Sequence, residues 1–191
     1  LIVCNIISLD GYYEGPGRDV MALPFDEAFS DYNVERLRAA DTLLLGRTTF
    51  EGFKSYWPPI ADDPNVRPVE REISRLNTKI DKVVVSDSLT PEDTAPMSYN
   101  TRIVTRADAH AEIAELKRRT GKNILVFGSR TMWNDLLVDG LVDELHLMIG
   151  PALLSAGTLV FEGKSPVRLQ LLESRTLKNS ELVLTRYSVR D

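Results

Sequence analysis

The feature that most constrains this chain is an alternation that stops. Short apolar, β-branched runs at 1–8, 42–45, 82–85, 102–105, 124–127 and 143–149 are separated by segments of helical spacing at 26–40, 48–54, 65–76, 108–119 and 129–138. Beyond 150 the pattern changes. Segments 168–177 and 181–189, joined by Lys178-Asn179-Ser180, read as one long hairpin. Strands that return through helices run parallel and carry helices on both faces, whereas a terminal hairpin adds an antiparallel edge. The expected architecture is α/β in three layers: a mostly parallel central sheet with a C-terminal antiparallel hairpin, forming one domain over 1–191. Residues 12–23, with Gly15-Pro16-Gly17 at their centre, are expected to form a loop. Ligands of such sheets bind at the carboxyl ends of the parallel strands.

Composition narrows the function classes. An apolar content of 43% is enough for one core, and a net charge of −5 argues against a partner bound through its phosphate backbone. The single cysteine, Cys4, cannot form an intramolecular disulfide and has no metal-ligand spacing, so a reducing cytoplasm is expected. No apolar run reaches the ~18 residues of a membrane span, and the sequence opens in Leu1-Ile2-Val3, so either a few residues are missing at the front or the first strand starts at once. The expected partner is a small-molecule substrate, with no nucleic acid, membrane or metal.

Three strand ends have the composition of an anion site. In Leu45-Gly46-Arg47-Thr48-Thr49 a strand meets a glycine, an arginine and two hydroxyls at a helix start, where free N–H groups and the helix dipole favour negative charge. An ordinary capped turn reads equally well there. Val126-Phe127-Gly128-Ser129-Arg130-Thr131 repeats the arrangement ahead of Met132 and Trp133. It is not the Gly-x-Gly-x-x-Gly fingerprint. Val85-Ser86-Asp87-Ser88 offers hydroxyls to a ribose or phosphate, although a Ser/Asp turn explains it as well. His110 falls on a solvated helix face, His146 alternates along a strand, and no serine has the context of a hydrolase nucleophile. Tyr56-Trp57-Pro58-Pro59 reads as the cap of a core edge.

Taken in order, Ser8-Leu9-Asp10-Gly11, Thr42 through Glu51, Tyr56-Trp57-Pro58, Val83-Val84-Val85-Ser86, Val126 through Ser129, and Gly140 through Leu145 running on to Gly150-Pro151 are specific as a series. The chain resembles the dihydrofolate-reductase-like superfamily, in the branch of the C-terminal reductase domain of bifunctional riboflavin biosynthesis proteins. The resemblance implies a reductase that binds NADPH, with NADH as the alternative, and acts as a homodimer. It also implies residue roles. Gly46, Arg47, Thr48 and Thr49 hold cofactor phosphates; Ser86, Asp87 and Ser88 face the adenosine ribose and its 2′-phosphate, where Asp87 suits a free 2′-hydroxyl better and Arg47 and Arg106 are the residues to compensate its charge. Gly128, Ser129, Arg130, Thr131 and Met132 lie under the diphosphate, and Trp133 near the nicotinamide. The loop from Asp10 to Gly17 covers the nicotinamide, and Tyr13 and Phe127 line the substrate side. Asp10, Glu14 and Asp31 are the candidate proton donors, with water as the alternative.

The sequence departs from its relatives at three places. Phe127 stands where riboflavin-pathway reductases often carry a glutamate, the first helix has Ser30 where dihydrofolate reductases place a carboxylate, and Asp87 replaces a frequent arginine. Two functions remain open at this level: an NAD(P)H-dependent reductase of a small, heterocyclic C=O or C=N compound, and a non-catalytic NADP(H)-binding sensor or scaffold on the same fold.

Overall fold

The computed structural model describes residues 1–163 and 166–190. The single domain expected over 1–191 therefore includes Lys164, Ser165 and Asp191, which lie outside the described residues. In chain order the elements are β1 (Ile2–Ser8), β2 (Tyr12–Glu14), α1 (Glu27–Arg38), β3 (Ala40–Gly46), α2 (Arg47–Ile60), α3 (Pro68–Lys79), β4 (Asp81–Val85), β5 (Thr101–Val104), α4 (Arg106–Arg118), β6 (Asn123–Phe127), α5 (Arg130–Val138), β7 (Glu144–Gly150), β8 (Thr158–Leu159), β9 (Arg168–Thr176) and β10 (Val183–Arg190).

Eight strands form one sheet in the order β5-β4-β3-β6-β1-β7-β10-β9. The first six in that order pair parallel, and β10 and β9 complete the sheet antiparallel. The chain leaves β1, skips one position to build β3, β4 and β5, and returns through α4 to insert β6 in the gap. That reversal is a topological switch point, and it opens a crevice at the carboxyl ends of β3, β6 and β1.

Period-two alternation sends successive strand residues to two separate cores. Leu43 and Leu45 join Cys4, Ile6, Phe50 and Ile73 beneath α1–α3, whereas Leu44 joins Val3, Ile113, Val126 and Trp133 beneath α4 and α5. Leu43, Leu44 and Leu45 are all 0% exposed, so each contributes about 1.5–3 kcal/mol of transfer free energy. This double burial is why the parallel strands read as continuous apolar runs. Helix starts follow local chemistry: Asp26 accepts from Phe29 N at the head of α1, and Thr105 accepts from Asp108 N at the head of α4.

Two expectations change. The helix expected over 48–54 runs on to Ile60 through Pro58-Pro59, carried by Phe53 and Trp57 packing against the core. The loop expected over 12–23 contains β2, which pairs antiparallel with β8, and Val160 N donates to Gly11 O beside it. Among the described residues no helix is long and apolar enough to cross a membrane.

Candidate functional site

The crevice is built where β3 enters α2 and β6 enters α5. Gly128 and Ser129 both take positive φ, +56° and +54°, which turns the chain sharply off β6. Ser129 is the residue before α5, yet its hydroxyl does not cap that helix. It accepts instead from Gly46 N at 2.9 Å, while Ser129 N donates to Thr49 Oγ1 at 3.0 Å. The two strand ends are thus laced together by their own hydroxyls. Gly46 has no side chain to cap α2 and Ser129 does not cap α5, so the N–H groups at the heads of both helices stay available to an acceptor. A side chain on Gly128 would meet Thr49 Oγ1 at 3.0 Å and the Tyr13 hydroxyl at 3.1 Å, so only glycine fits without a shift.

Arg47 is exposed on the first turn of α2 and has no ion-pair partner among the described residues. Thr48 is exposed beside it. Arg130 differs from its expected role. Its guanidinium bonds Leu159 O and pairs with Glu162 at 3.2 Å, so it clamps the β8 loop and only its backbone belongs to the helix start. Thr131 is exposed and Met132 packs on the core.

At the ends of β4 and β5 the third segment folds on itself. Ser86 is buried and its hydroxyl accepts from Ser88 N and Leu89 N, closing a turn. Ser88 itself is exposed. Asp87 accepts from Arg106 N at 2.8 Å and faces the Arg106 guanidinium at 3.3 Å. Its charge is therefore offset at the head of α4 by Arg106.

Trp133 is corrected outright. It is 0% exposed, packed in the core beneath α5 with Phe161 edge-on at 5.9 Å, and no face of it reaches a ligand. At ~3.6 residues per turn, Trp133 lies two positions on from the exposed Thr131 and so on the opposite, buried side of α5. Phe127 points to the opposite face, toward α2, where Phe53 and Trp57 extend an aromatic group from it. Tyr13 lies over Gly128, and burial pushes its phenol up to about 12, so it keeps its proton at neutral pH.

The three candidate proton donors are occupied. Asp10 accepts from the Ser8 hydroxyl at 2.6 Å and from Leu154 N and Ser155 N, and the Ser8 bond foremost holds its carboxyl below the usual range. It is an anchor that ties the β1 turn to the loop after β7. Glu14 accepts from Thr158 Oγ1 at 2.8 Å, joining β2 to β8. Asp31 is paired with Arg67 at 2.5 Å on the exposed side of α1. His146 is buried between Tyr32 and Glu144, and His110 sits between Asp135 and Asp139. Cys4 is buried, and desolvation raises its thiol to about 12, so it is no nucleophile.

One residue of the site was not singled out from the sequence. Asn5, in the middle of β1, accepts from Gly128 N at 3.0 Å through Oδ1. Its polar side chain inside an apolar run was the available signal. Away from the crevice, a depression of about 490 Å³ opens between Pro24, Phe25, Asp26, Pro151 and Ser180. Another, of about 300 Å³, lies at the opposite end of the sheet, where Lys117 pairs with Asp143 and Lys122 N donates to Asp41.

The model of the RibD C-terminal domain matches residues 1–183. The uncharacterized protein YyaP of Bacillus subtilis (strain 168) is 29% identical over 182 residues, covering 94% of this chain and 89% of its own. A putative riboflavin biosynthesis protein from Shewanella sp. PV-4 superimposes with a TM-score of 0.70 at 22% identity, over 100% of this chain and 98% of that one. Dihydrofolate reductase from Enterococcus faecalis, complexed with NADP(H), gives 0.59 at 14% identity, over 100% and 96%. At these identities the structural likeness shows a shared, dihydrofolate-reductase-like fold.

Proposed function

The chain belongs to the RibD C-terminal domain family, and on that premise we propose that it is an NAD(P)H-dependent reductase acting on a small, flat C=O or C=N compound. One observation carries this reading: two uncapped helix starts stand side by side at the switch point, α2 headed by Gly46 and α5 by Ser129, whose hydroxyl is spent on Gly46 N. Such a pair of N–H clusters suits a diphosphate, and Arg47 is placed to add a charge-assisted fork. The nucleotide-bound dihydrofolate reductase of the same fold supports the choice of ligand.

When bound, the cofactor supplies hydride, and the protein's own part is positioning and exclusion of water. Thr49, Gly128 and Ser129 shape the seat. Tyr13 and the β2–β8 ribbon cover it, and Phe127 with Phe53 offers an aromatic wall to a heterocycle. With Asp10, Glu14 and Asp31 engaged elsewhere, water is the proton source. The pairing of Asp87 with Arg106 offsets the negative charge beside the expected 2′-phosphate position, which keeps NADPH ahead of NADH. The engaged carboxylates also favour a second reading, a cofactor-binding sensor or scaffold without turnover.

Calorimetry with NADPH and NADH tests the proposal. NADPH is expected to bind more tightly, and Arg47→Ala to weaken it by about 2–3 kcal/mol with the fold intact. Unchanged affinity removes Arg47 from the site; binding of neither cofactor by folded protein removes the function. Oxidation of bound NADPH by some member of a carbonyl and imine panel separates the reductase from the sensor.

A further inference from the structure

Asn5 is 5% exposed, and its Nδ2 is fully buried with no hydrogen-bond partner among the described residues. The orientation of its amide is fixed, because Oδ1 accepts from Gly128 N; flipping it would set two N–H donors against each other. An unpaired N–H donor inside a protein is costly to keep. Trp133 Nε1 is a buried donor unpaired among the described residues too, but it lies in the core; Asn5 is set apart by its bond to Gly128 N at the crevice, where an acceptor can arrive with a ligand.

The position says which part of a ligand that is. Along the sheet, Asp87 and Ser86 end β4, Gly46 and Ser129 mark the ends of β3 and β6, and Asn5 stands on β1, the next strand over. A dinucleotide with its diphosphate at β3 and β6 has one end over β4 and the other over β1, about 4.8 Å past β6. Asn5 shares a strand face with Val3 and Ile7, toward α5, the side on which Gly128 and Ser129 turn. Phe127 and the aromatic wall face the other way, beneath α1 and α2. Asn5 is therefore on the cofactor side of the crevice. Tyr13, whose hydroxyl also reaches Gly128 and has no partner among the described residues, closes over the same spot.

Resting on the reductase reading, we infer that Asn5 Nδ2 donates to the carboxamide oxygen of the nicotinamide and so fixes the ring's rotation in the crevice. Asn5 is a positioning residue, acting through the orientation of the ring.

The test is binding of two ligands by the whole chain: NADPH, and 2′-phospho-ADP-ribose, which is the same molecule without nicotinamide. Asn5→Asp keeps the acceptor for Gly128 N and replaces the donor with an oxygen. It is expected to weaken NADPH at least about tenfold more than it weakens 2′-phospho-ADP-ribose, whose smaller loss reports the added charge beside the diphosphate seat. Equal loss for both ligands means that Asn5 only holds Gly128, and overturns the inference, as does no loss for either. If wild type binds neither ligand, the reductase reading itself fails and the inference goes with it. Should Asn5→Asp not fold, wild type is compared on NADPH and its thionicotinamide analogue, whose sulfur is a poor acceptor. Several-fold weaker binding of the analogue supports the inference, and equal binding overturns it.

Discussion

Lys82 places an ammonium where the fold scarcely needs one. The residue is 2% exposed, and its Nζ reaches back to Ile80 O at 2.8 Å and Thr78 O at 3.3 Å, under the end of α3. Both carbonyls already have other donors: Asn100 Nδ2 serves each at 2.8 Å, and Tyr99 adds its hydroxyl to Thr78 O. Burial depresses the lysine to about 8, against 10.5 in water, with Asp81 opposing the shift. Between those values the unfolded chain holds a proton that the folded chain does not, so wild-type stability rises with pH across that window. At pH 7 the buried charge is a net cost. Lys82→Met should therefore stabilise the protein by about 1–3 kcal/mol at pH 7, with the gain shrinking toward pH 10. Urea unfolding at the two pH values measures it, and destabilisation at pH 7 would show that the ammonium is the cap that matters. At this scale the sequence is legible in part. Gly46, Arg47, Thr49, Gly128 and Ser129 stand out because a glycine beside a hydroxyl at a strand end suits an anion, although an ordinary capped turn has the same composition. Trp133, Arg130 and Asp10 mislead because their chemistry is visible in the sequence while their partners, Phe161, Glu162 and Ser155, are distant in it. Asn5 stayed hidden for the converse reason: one polar residue in a buried strand says nothing until its unpaired nitrogen is seen.

Among the elements, the joint of α1 with β7, β10 and β9 is held by charge and hydrogen bonds. Tyr32 on α1 lies 2.7 Å from His146 Nδ1, and Glu144 lies 2.8 Å from Nε2. Arg186 on β10 bridges Glu144 and Glu173, and Arg36 stacks over the Tyr32 ring. Glu144, an acceptor at 2.8 Å, meets Nε2 more closely than the Arg186 Nε–H at 3.2 Å, which puts the ring proton on Nε2; Tyr32 then donates to Nδ1 and the histidine is neutral. Burial depresses its pKa below the ordinary 6.5; the Glu144 bond opposes this, while Arg186 and Arg36 add to it, with Cys4 an uncharged neighbour on β1. A histidine depressed in the fold leaves the unfolded chain binding more protons as pH falls through 6.5, so stability declines there. Glu144 and Glu173 are held below 4.5, so their stabilisation is lost only at lower pH and the two windows separate. His146→Gln should flatten the first decline in unfolding free energy between pH 7 and 5. Tyr32→Phe, which strands Nδ1, should cost about 1–3 kcal/mol at neutral pH. An unaltered slope in His146→Gln would assign the decline to other groups. Nothing in the sequence foretold this joint, because its members come from four separate elements. The elements themselves were legible wherever periodicity ran over five residues or more. The two residues of β8 carry no period at all, and β2 was lost with them.

For the molecule as a whole, the sheet ends unevenly. At one side β5 is short, whereas at the other β9 runs for nine residues and ends the sheet with a free edge. Long edge strands invite pairing and are usually blunted by charge. Here Arg168, Glu173 and Arg175 supply some, but Leu169, Leu171 and Leu172 are 38%, 54% and 46% exposed, and Val183 on the neighbouring strand is 36% exposed. Leu169 and Leu171 lie on one face, paired with Val189 and Tyr187 of β10, so they form a cross-strand apolar patch rather than scattered residues. A chain of net charge −5 is not kept apart by repulsion at physiological ionic strength, where screening acts within about 8 Å. Self-association through the β9–β10 hairpin is the simplest way to cover this patch, and a two-fold pair would bring each patch against its own copy. The crevice lies at β3, β6 and β1, with β7 between β1 and the hairpin. The wild-type chain is expected to sediment as a dimer at micromolar concentration. Leu171→Lys, which sets an ammonium on the self-complementary surface, should give a monomer with unchanged circular dichroism and unchanged NADPH affinity. A wild-type monomer would mean that the patch is covered by something other than a second copy, and loss of NADPH binding in the monomer would mean that the crevice depends on its partner.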